Sequence, residues 1–339
     1  MGARTEVAGA AAIALVLAAC GGGDGQDTER STTTTVAVPP SAPAPPTTVA
    51  PASRLDIEAA SWQLPAPTSR LVLLADGGEL VVLGGQDAAH ASVADVFRID
   101  PTTGTASPAS PLDPAVHDAA GAQLGDQSLV IAGGTPPARA TVQVVTAGEP
   151  SHAVGELPAP RTDHVAALVD GTVYVLGGAD AAEVTLGSVV ASADDGIAWS
   201  EAGTLVEAVR YPAVATADGA VYLFGGARDT TPDSTAVQRY DPASGTTQIV
   251  AQLPEPLSHA SAVAVGGQIW VLGGFVDDAP AAQILRFDPA SNTLTPAGSL
   301  PGAVTDAAVV ATGPATGYLV GGEGPGRATT AAVLVLSAR

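Results

Sequence analysis

The sequence predicts an all-β repeat protein, on three observations. Apolar runs ending in Gly-Gly recur six times: ELVVLGG, SLVIAGG, TVYVLGG, AVYLFGG, QIWVLGG and GYLVGG. Their last glycines are Gly85, Gly134, Gly178, Gly226, Gly274 and Gly322, at intervals of 49, 44, 48, 48 and 48 residues. The 39 glycines and 28 prolines punctuate the chain too often for long helices. A period of this size, with strand-type runs and no helical spacing, means a propeller or another β-array.

The N-terminus reads as an address. Residues 1–19 carry Arg4 and then an apolar, small-residue run from Val7 to Ala19. That run is too short for the roughly 20 residues that span a bilayer as a helix, so it reads as a signal peptide. Leu17-Ala18-Ala19-Cys20-Gly21 follows, and it resembles the lipobox of bacterial lipoproteins. The resemblance implies cleavage before Cys20, lipid on its sulfur, and residence on the outer face of the cytoplasmic membrane. Attachment to the membrane is then expected through lipid alone, where two or more acyl chains give a stable hold. Residues 20–55 form a Gly/Thr/Pro-rich tether with no face to pack, so disorder is expected. Extended, it would reach about 100 Å. The folded domain is expected over 56–339.

Within that domain each repeat supplies four strands. In the third repeat they are read at His164–Val169, Thr172–Leu176, Val184–Ser192 and Ile197–Gly203. Asp170-Gly171 between the first two suits a tight hairpin, because glycine accepts positive φ. The third-to-fourth turns read DPTTG, DPASG and DPASN: proline presets the first corner, and Gly or Asn takes the left-handed position. The glycine pairs mark close approach of neighbouring backbone. Tyr174, Tyr222, Trp270 and Tyr318, three residues before the first glycine, are expected to pack between sheets.

These six glycine pairs, the aromatics before them, Phe97, Tyr240 and Phe287 before Asp-Pro, and Trp62 and Trp199 resemble the kelch-repeat family of β-propellers. The resemblance covers residues 57–339 and implies a six-bladed propeller. Repeat 2 lacks the aromatics and Asp-Pro, and repeat 6 ends after its third strand. Residues 57–65 precede any repeat, and are expected to supply the missing strand and close the ring, with Ala59–Gln63 pairing against about Ala331–Leu336. Ser192-Ala-Asp194-Asp-Gly196-Ile-Ala-Trp199 resembles the Asp-box of sialidases, where it is a structural turn.

Composition excludes several functions. A net charge of −21, with thirteen arginines and no lysine, opposes nucleic acid and anionic lipid surfaces. One cysteine permits neither an internal disulfide nor a cysteine zinc cluster, and the five histidines lack HxxxH or HExxH spacing. No cofactor or metal is expected. The copper-and-thioether chemistry of galactose oxidase-like kelch enzymes fails because the cysteine lies in the lipobox.

In propellers the ligand face is usually the mouth formed by the loops between blades and those between second and third strands. The candidates there are Arg161, His164, Arg210, Tyr211, Arg228, His259 and Asp277, within a wider set including Arg70, His117, Asp163, Asp306, Glu323 and Arg327. Arginine among carboxylates can grip a carboxylate or a sugar acid. Arg161, His164 and His259 read rather as framework tying neighbouring blades. The expectation is a monomeric, non-catalytic protein that recognises a protein or envelope glycan. The alternative is a carbohydrate-active enzyme, sialate mutarotase-like or glycosidase.

Overall fold

A computed structural model describes residues 51–134 and 137–339. The signal segment, Cys20 and the tether up to residue 50 lie outside the described residues. Six four-stranded antiparallel sheets form six blades. Blade 1 comprises Val72–Asp76, Glu79–Leu83, Val96–Ile99 and Ala106–Pro108, innermost first. Blade 2 comprises Ala120–Leu124, Gln127–Gly133, Arg139–Thr146 and His152–Arg161; blade 3 Val165–Val169, Thr172–Leu176, Ser188–Ser192 and Ser200–Thr204. Blade 4 uses Ala213–Ala217, Ala220–Phe224, Ala236–Asp241 and Thr246–Gln252, and blade 5 Ser261–Val265, Gln268–Leu272, Gln283–Asp288 and Thr293–Ser299. Among the described residues the only helix is the 3-10 turn Pro325–Arg327, and no helix is long and apolar enough to cross a membrane.

Blade 6 is built from both ends of the chain. Ala308–Gly313, Thr316–Val320 and Val333–Ala338 are its inner strands, and Leu55–Ala59 is its outermost. The ring thus closes as the sequence predicts, with a different register. Leu55 pairs with Ala338 and Ala59 with Leu334, so the ladder lies about four residues earlier than expected. The chain is held earlier still: the Ala52 amide donates to Gly266 at 2.7 Å, and Ser53 and Arg54 donate to Arg339. Trp62 lies beyond the strand. It packs on Gly104 of blade 1 and donates from Nε1 to the Pro101 carbonyl at 3.0 Å. Its bulk fits the crevice between blades, where a ladder position would have turned it to solvent.

The core is divided among the seams. Six buried clusters each join one blade to the next, including blade 6 to blade 1 through Leu71, Leu73, Leu80, Val320 and Val333. Second-strand aromatics meet third-strand aromatics of the following blade: Tyr174 with Tyr240 at 5.6 Å, Tyr222 with Phe287 at 5.4 Å. These tilted pairs add to the burial that holds the seams.

The glycine pairs have a specific task. The second glycine donates its amide to a carbonyl in the segment entering the next blade: Gly85 to Val116, Gly178 to Val209, Gly226 to Leu257, Gly274 to Val304, Gly322 to Thr68. The first glycine, at φ from 59° to 65° in these five blades, lies so close to the same carbonyl that a Cβ would strike it. Blade 2 differs. Ala132 takes the first left-handed position at φ 54° and Gly133 the second, through a ladder irregularity between Ile131 and Gly133. Its left-handed pair thus starts one residue earlier than the Gly-Gly of the sequence.

The Asp-box of blade 3 is the structural turn expected. Asp194 Oδ1 accepts from the Ala198 amide at 3.0 Å, Ser192 Oγ from Gly196 at 3.0 Å, and Trp199 Nε1 donates to Gly196.

Candidate functional site: a polar ring at the axial mouth

Each innermost strand is entered through one residue in left-handed conformation. These are Arg70, Asp118, Asp163, Tyr211, His259 and Asp306, with φ between 51° and 60°. Non-glycine residues rarely adopt this conformation, and a set of them points to a place where surroundings over-determine the backbone. Here the constraint is mutual. Asp118 N–H donates to Arg70 at 3.3 Å, Asp163 to Asp118 at 3.2 Å, and Tyr211 to Asp163 at 2.8 Å. His259 donates to Tyr211 at 3.0 Å, Asp306 to His259 at 3.0 Å, and Arg70 to Asp306 at 2.9 Å. The six hydrogen bonds close a circle around the propeller axis.

The side chains of this circle form one polar network. Arg70 Nη1 reaches both oxygens of Asp118, at 3.2 and 3.0 Å, and donates to the Tyr211 hydroxyl at 2.9 Å. Its other nitrogens face Asp306 at 3.5 Å and Glu323 at 3.4 Å. Tyr211 donates to Asp118 Oδ2 at 3.2 Å. Asp306 meets His259 Nδ1 at 2.7 Å, and the His259 ring stacks on Tyr211 with centroids 3.8 Å apart. Asp163 accepts from Thr162 Oγ1 at 2.9 Å and faces Arg210 at 3.6 Å. Phe275 meets His259 edge-on, extending an aromatic wall up one side.

Burial sets the charges. It works against the Arg70 guanidinium, but Asp118 and Asp306 outweigh it and hold the proton more tightly than usual. Burial pushes the Asp118 carboxyl up despite Arg70, and pushes Asp163 up with help from Asp118. Asp306 is buried too, yet His259 and Arg70 hold it below the usual carboxylate range. Burial, then Asp118 and Asp163, push the Tyr211 hydroxyl far above its ordinary value. Ring residues from all six blades line a cavity of about 120 Å³, which opens inward to an axial channel lined by small residues such as Ala119, Ala120, Ala213 and Ala262.

Of the sequence-predicted residues, Tyr211 and His259 belong to the ring, as do Arg70, Asp163 and Asp306 of the wider set, and Arg210 stands on its rim with its side chain about a third exposed. Arg161 does not line the cavity. It is buried at the end of blade 2's outer strand and donates to the Gly177 and Ser188 carbonyls and Ser188 Oγ, tying blade 2 to blade 3, and burial lowers its pKa to about 10. His164 lines the cavity but is buried, donating from Nε2 to the Ile131 carbonyl of blade 2. Burial lowers its pKa to about 3, so it is a neutral framework group. Arg228 braces its own loop at the Pro232 carbonyl and faces Glu207 at 3.7 Å. Asp277 sits exposed at the tip of a short hairpin of blade 5, away from the ring. Sequence reasoning singled out His117 and passed over Asp118. The signal was position: Asp118 stands fifteen residues before Gly133, as Arg70 does before Gly85 and Tyr211 before Gly226.

Comparison with known proteins agrees with this architecture. A family model for the kelch motif matches residues 67–112 and 256–301. Alpha-scruin of Limulus polyphemus is 30% identical over 126 residues, which is 35% of this chain and 14% of scruin. Kelch-like protein 35 of Mus musculus is 31% identical over 180 residues, 52% of this chain and 29% of its own. The matched segments thus span less than a third of these curated relatives. The solved structure of YjhT superposes with a TM-score of 0.70 at 13% identity, covering 82% of this chain and 97% of that one. With six four-stranded blades, and kelch motifs matched in the first and fifth, this chain is a six-bladed kelch-type β-propeller closed by its own N-terminal strand.

Proposed function

We propose that the protein is a non-catalytic recognition module, held outside the cytoplasmic membrane by lipid on Cys20, whose propeller mouth binds a protein or envelope glycan. The observation that carries this reading is the state of the mouth. Its arginine, carboxylates and phenol are turned on one another, so the groups that would grip a small ligand are already paired. A surface of this kind meets a partner at its rim, through Arg210, the exposed Arg327 and the Phe275 wall. The described residues begin on the opposite face, where Ala52 is fixed to the innermost hairpin turn of blade 5.

The test is binding of the full chain to a glycan array and to photo-crosslinked envelope proteins. Binding lost in Arg210→Ala, and kept in Asp126→Ala on the far face, is the expected result. Loss in both variants would overturn a mouth-based reading. Replacing Cys20 with Ser should release the protein to the soluble fraction, and retention at the membrane would refute lipidation.

The alternative is a carbohydrate-active enzyme, favoured by the buried carboxylates and Tyr211 at one mouth. Against it, the phenol is pushed toward its protonated form, the reverse of what a tyrosine nucleophile needs. Turnover of sialosides or sialic acid anomers, abolished by Arg210→Ala in a folded protein, would establish the enzyme reading instead.

A further inference from the structure

Where the connector from one blade meets the third strand of the next, a crevice opens, and in three blades a side chain closes it. The closing residue pairs with the one standing two before the first left-handed residue of the glycine pair. In blade 2 it is Gln143, opposite Val130, and in blade 4 Gln238, opposite Leu223. Gln143 accepts from the Asp113 amide at 2.7 Å and donates to the Pro114 carbonyl at 3.0 Å. Gln238 accepts from the Glu207 amide at 2.9 Å and donates to the Glu207 carbonyl at 3.0 Å. The Glu207 side chain closes that crevice further, accepting from Ser234 Oγ at 2.6 Å and facing Arg228 at 3.7 Å. In blade 1 the closing residue is Phe97, opposite Val82, and the crevice around it keeps only about 20 Å³.

Blade 6 departs from this pattern. Leu334 holds the closing position, opposite Leu319. Gly302 stands in the connector where Glu207 does, and Gly324 follows its glycine pair as Arg228 follows that of blade 4. The crevice between blades 5 and 6 therefore holds a cavity of about 330 Å³ with Val304, Leu319 and Leu334 among its walls. Among the described residues, none that lines it is charged. The backbone does not demand either glycine. Gly324 has φ −90°, and a Cβ there would meet nothing closer than 3.8 Å. Gly302 lies outside the left-handed region, and a Cβ there would meet nothing within 4 Å. Gly321 and Gly322 beside them are left-handed at φ 65° and 97° and are needed for the fold. At Gly302 and Gly324 the fold permits a side chain, and its absence is what keeps the cavity open.

We propose that this crevice is a binding pocket for an uncharged aromatic side chain presented by a protein partner. The inference rests on the recognition reading above and narrows its partner to a protein. Three observations select the occupant. An apolar cavity of about 150 Å³ already takes a benzene, so about 330 Å³ accommodates a ring with its stem. An uncharged, apolar lining returns nothing for the desolvation of a charged group, which selects against one. And an aromatic side chain, Phe97, is what the chain itself places in the corresponding crevice between blades 6 and 1. The pocket also adjoins the rim of the mouth. Gly324 and Ala328, both in its lining, flank the loop that carries Arg327, whose side chain is largely exposed. A partner with a carboxylate near its aromatic residue could therefore engage the rim cation and the pocket together.

The experiment is an NMR titration of the full chain, methyl-labelled at leucine and valine, with the N-acetyl amides of phenylalanine and of glutamate, and with toluene. The phenylalanine amide should give saturable shifts at Leu319, Leu334 and Val304, and the glutamate amide should give none. Leu334→Phe copies the arrangement of blade 1, and Gly302→Glu copies the entry to blade 4; each should abolish the shifts. Arg210→Ala should leave them unchanged, so failure of this pocket and failure of the mouth as a binding surface are read separately. The proposal is overturned if the phenylalanine amide gives no saturable shift, if the glutamate amide matches it, or if the shifts survive both filling variants. Binding of toluene alone would also overturn it, by showing a site for free arenes instead of a side chain. Should Leu334→Phe fail to fold, Gly302→Glu decides, because that position is exposed and has room for a side chain.

Discussion

Gly225 shows how much one residue carries. An added Cβ there would run into the Leu257 carbonyl, which accepts the hydrogen bond docking blade 4 to the entry of blade 5. Left-handed strain and the collision add, so Gly225→Ala should cost about 2–4 kcal/mol. Gly219, also left-handed at φ 72° but in an open hairpin turn, should cost about 1–2 kcal/mol as alanine. Equilibrium denaturation of both variants checks the difference; equal losses would remove the docking role. At the mouth, Arg70→Ala should cost about 3–5 kcal/mol, because Asp118, Asp306 and Glu323 would share a buried site without their common cation. The glycines were legible in the sequence because conformational need dictates residue type. The ring was legible only as scattered members, because arginine, aspartate, tyrosine and histidine fill the same backbone position in different blades. Chemistry varies there while geometry repeats, so a search by residue type collected Arg70, Asp163, Tyr211, His259 and Asp306 among other loop residues and missed Asp118. Arg161 misled for a related reason: a charged side chain at a blade entry can turn inward to backbone carbonyls.

Among the elements, the strand Leu55–Ala59 carries the largest consequence. It covers the edge that blade 6 would otherwise expose, and the segment that holds it buries Leu55 and Leu64. Deleting residues 51–64 should cost about 3–6 kcal/mol from these two leucines alone. Hydrogen exchange should then quicken in Val333–Ala338 before it does in blade 3, and unchanged protection would show that the ring does not depend on this closure. The existence of the strand could be deduced from a missing fourth member in the last repeat. Its register could not, because Trp62 looked like a strand residue. Tryptophan is apolar and common in strands, so only the packing against Gly104 distinguishes a crevice filler from a ladder position.

For the whole molecule, the fold class was legible because six repeats speak six times, and a local misreading such as the glycine pair of blade 2 does not disturb the period. The response to pH is a property at this scale. Asp118 and Asp163 have raised pKa values in the folded state. Their contribution to stability is fully present below the ordinary carboxylate pKa and is lost as pH rises through the raised values. Asp306 is held low, so its contribution is present above the ordinary value and lost only as pH falls through its depressed one. Relief of self-repulsion in a chain of net charge −21 acts in the same direction as the first pair. The unfolding midpoint should therefore rise as the pH is lowered from about 8 toward about 5. Asp163→Asn should flatten that rise, and a midpoint that falls over the same interval would contradict the charge assignment. The closing strand has one more consequence, a mechanical one. Any pull on the residues before 51 meets the Ala52–Gly266 hydrogen bond first and the Arg54–Arg339 pair next, and only then the five paired residues from Leu55 to Ala59. The seam that seals the ring is therefore also the splice that takes its tension.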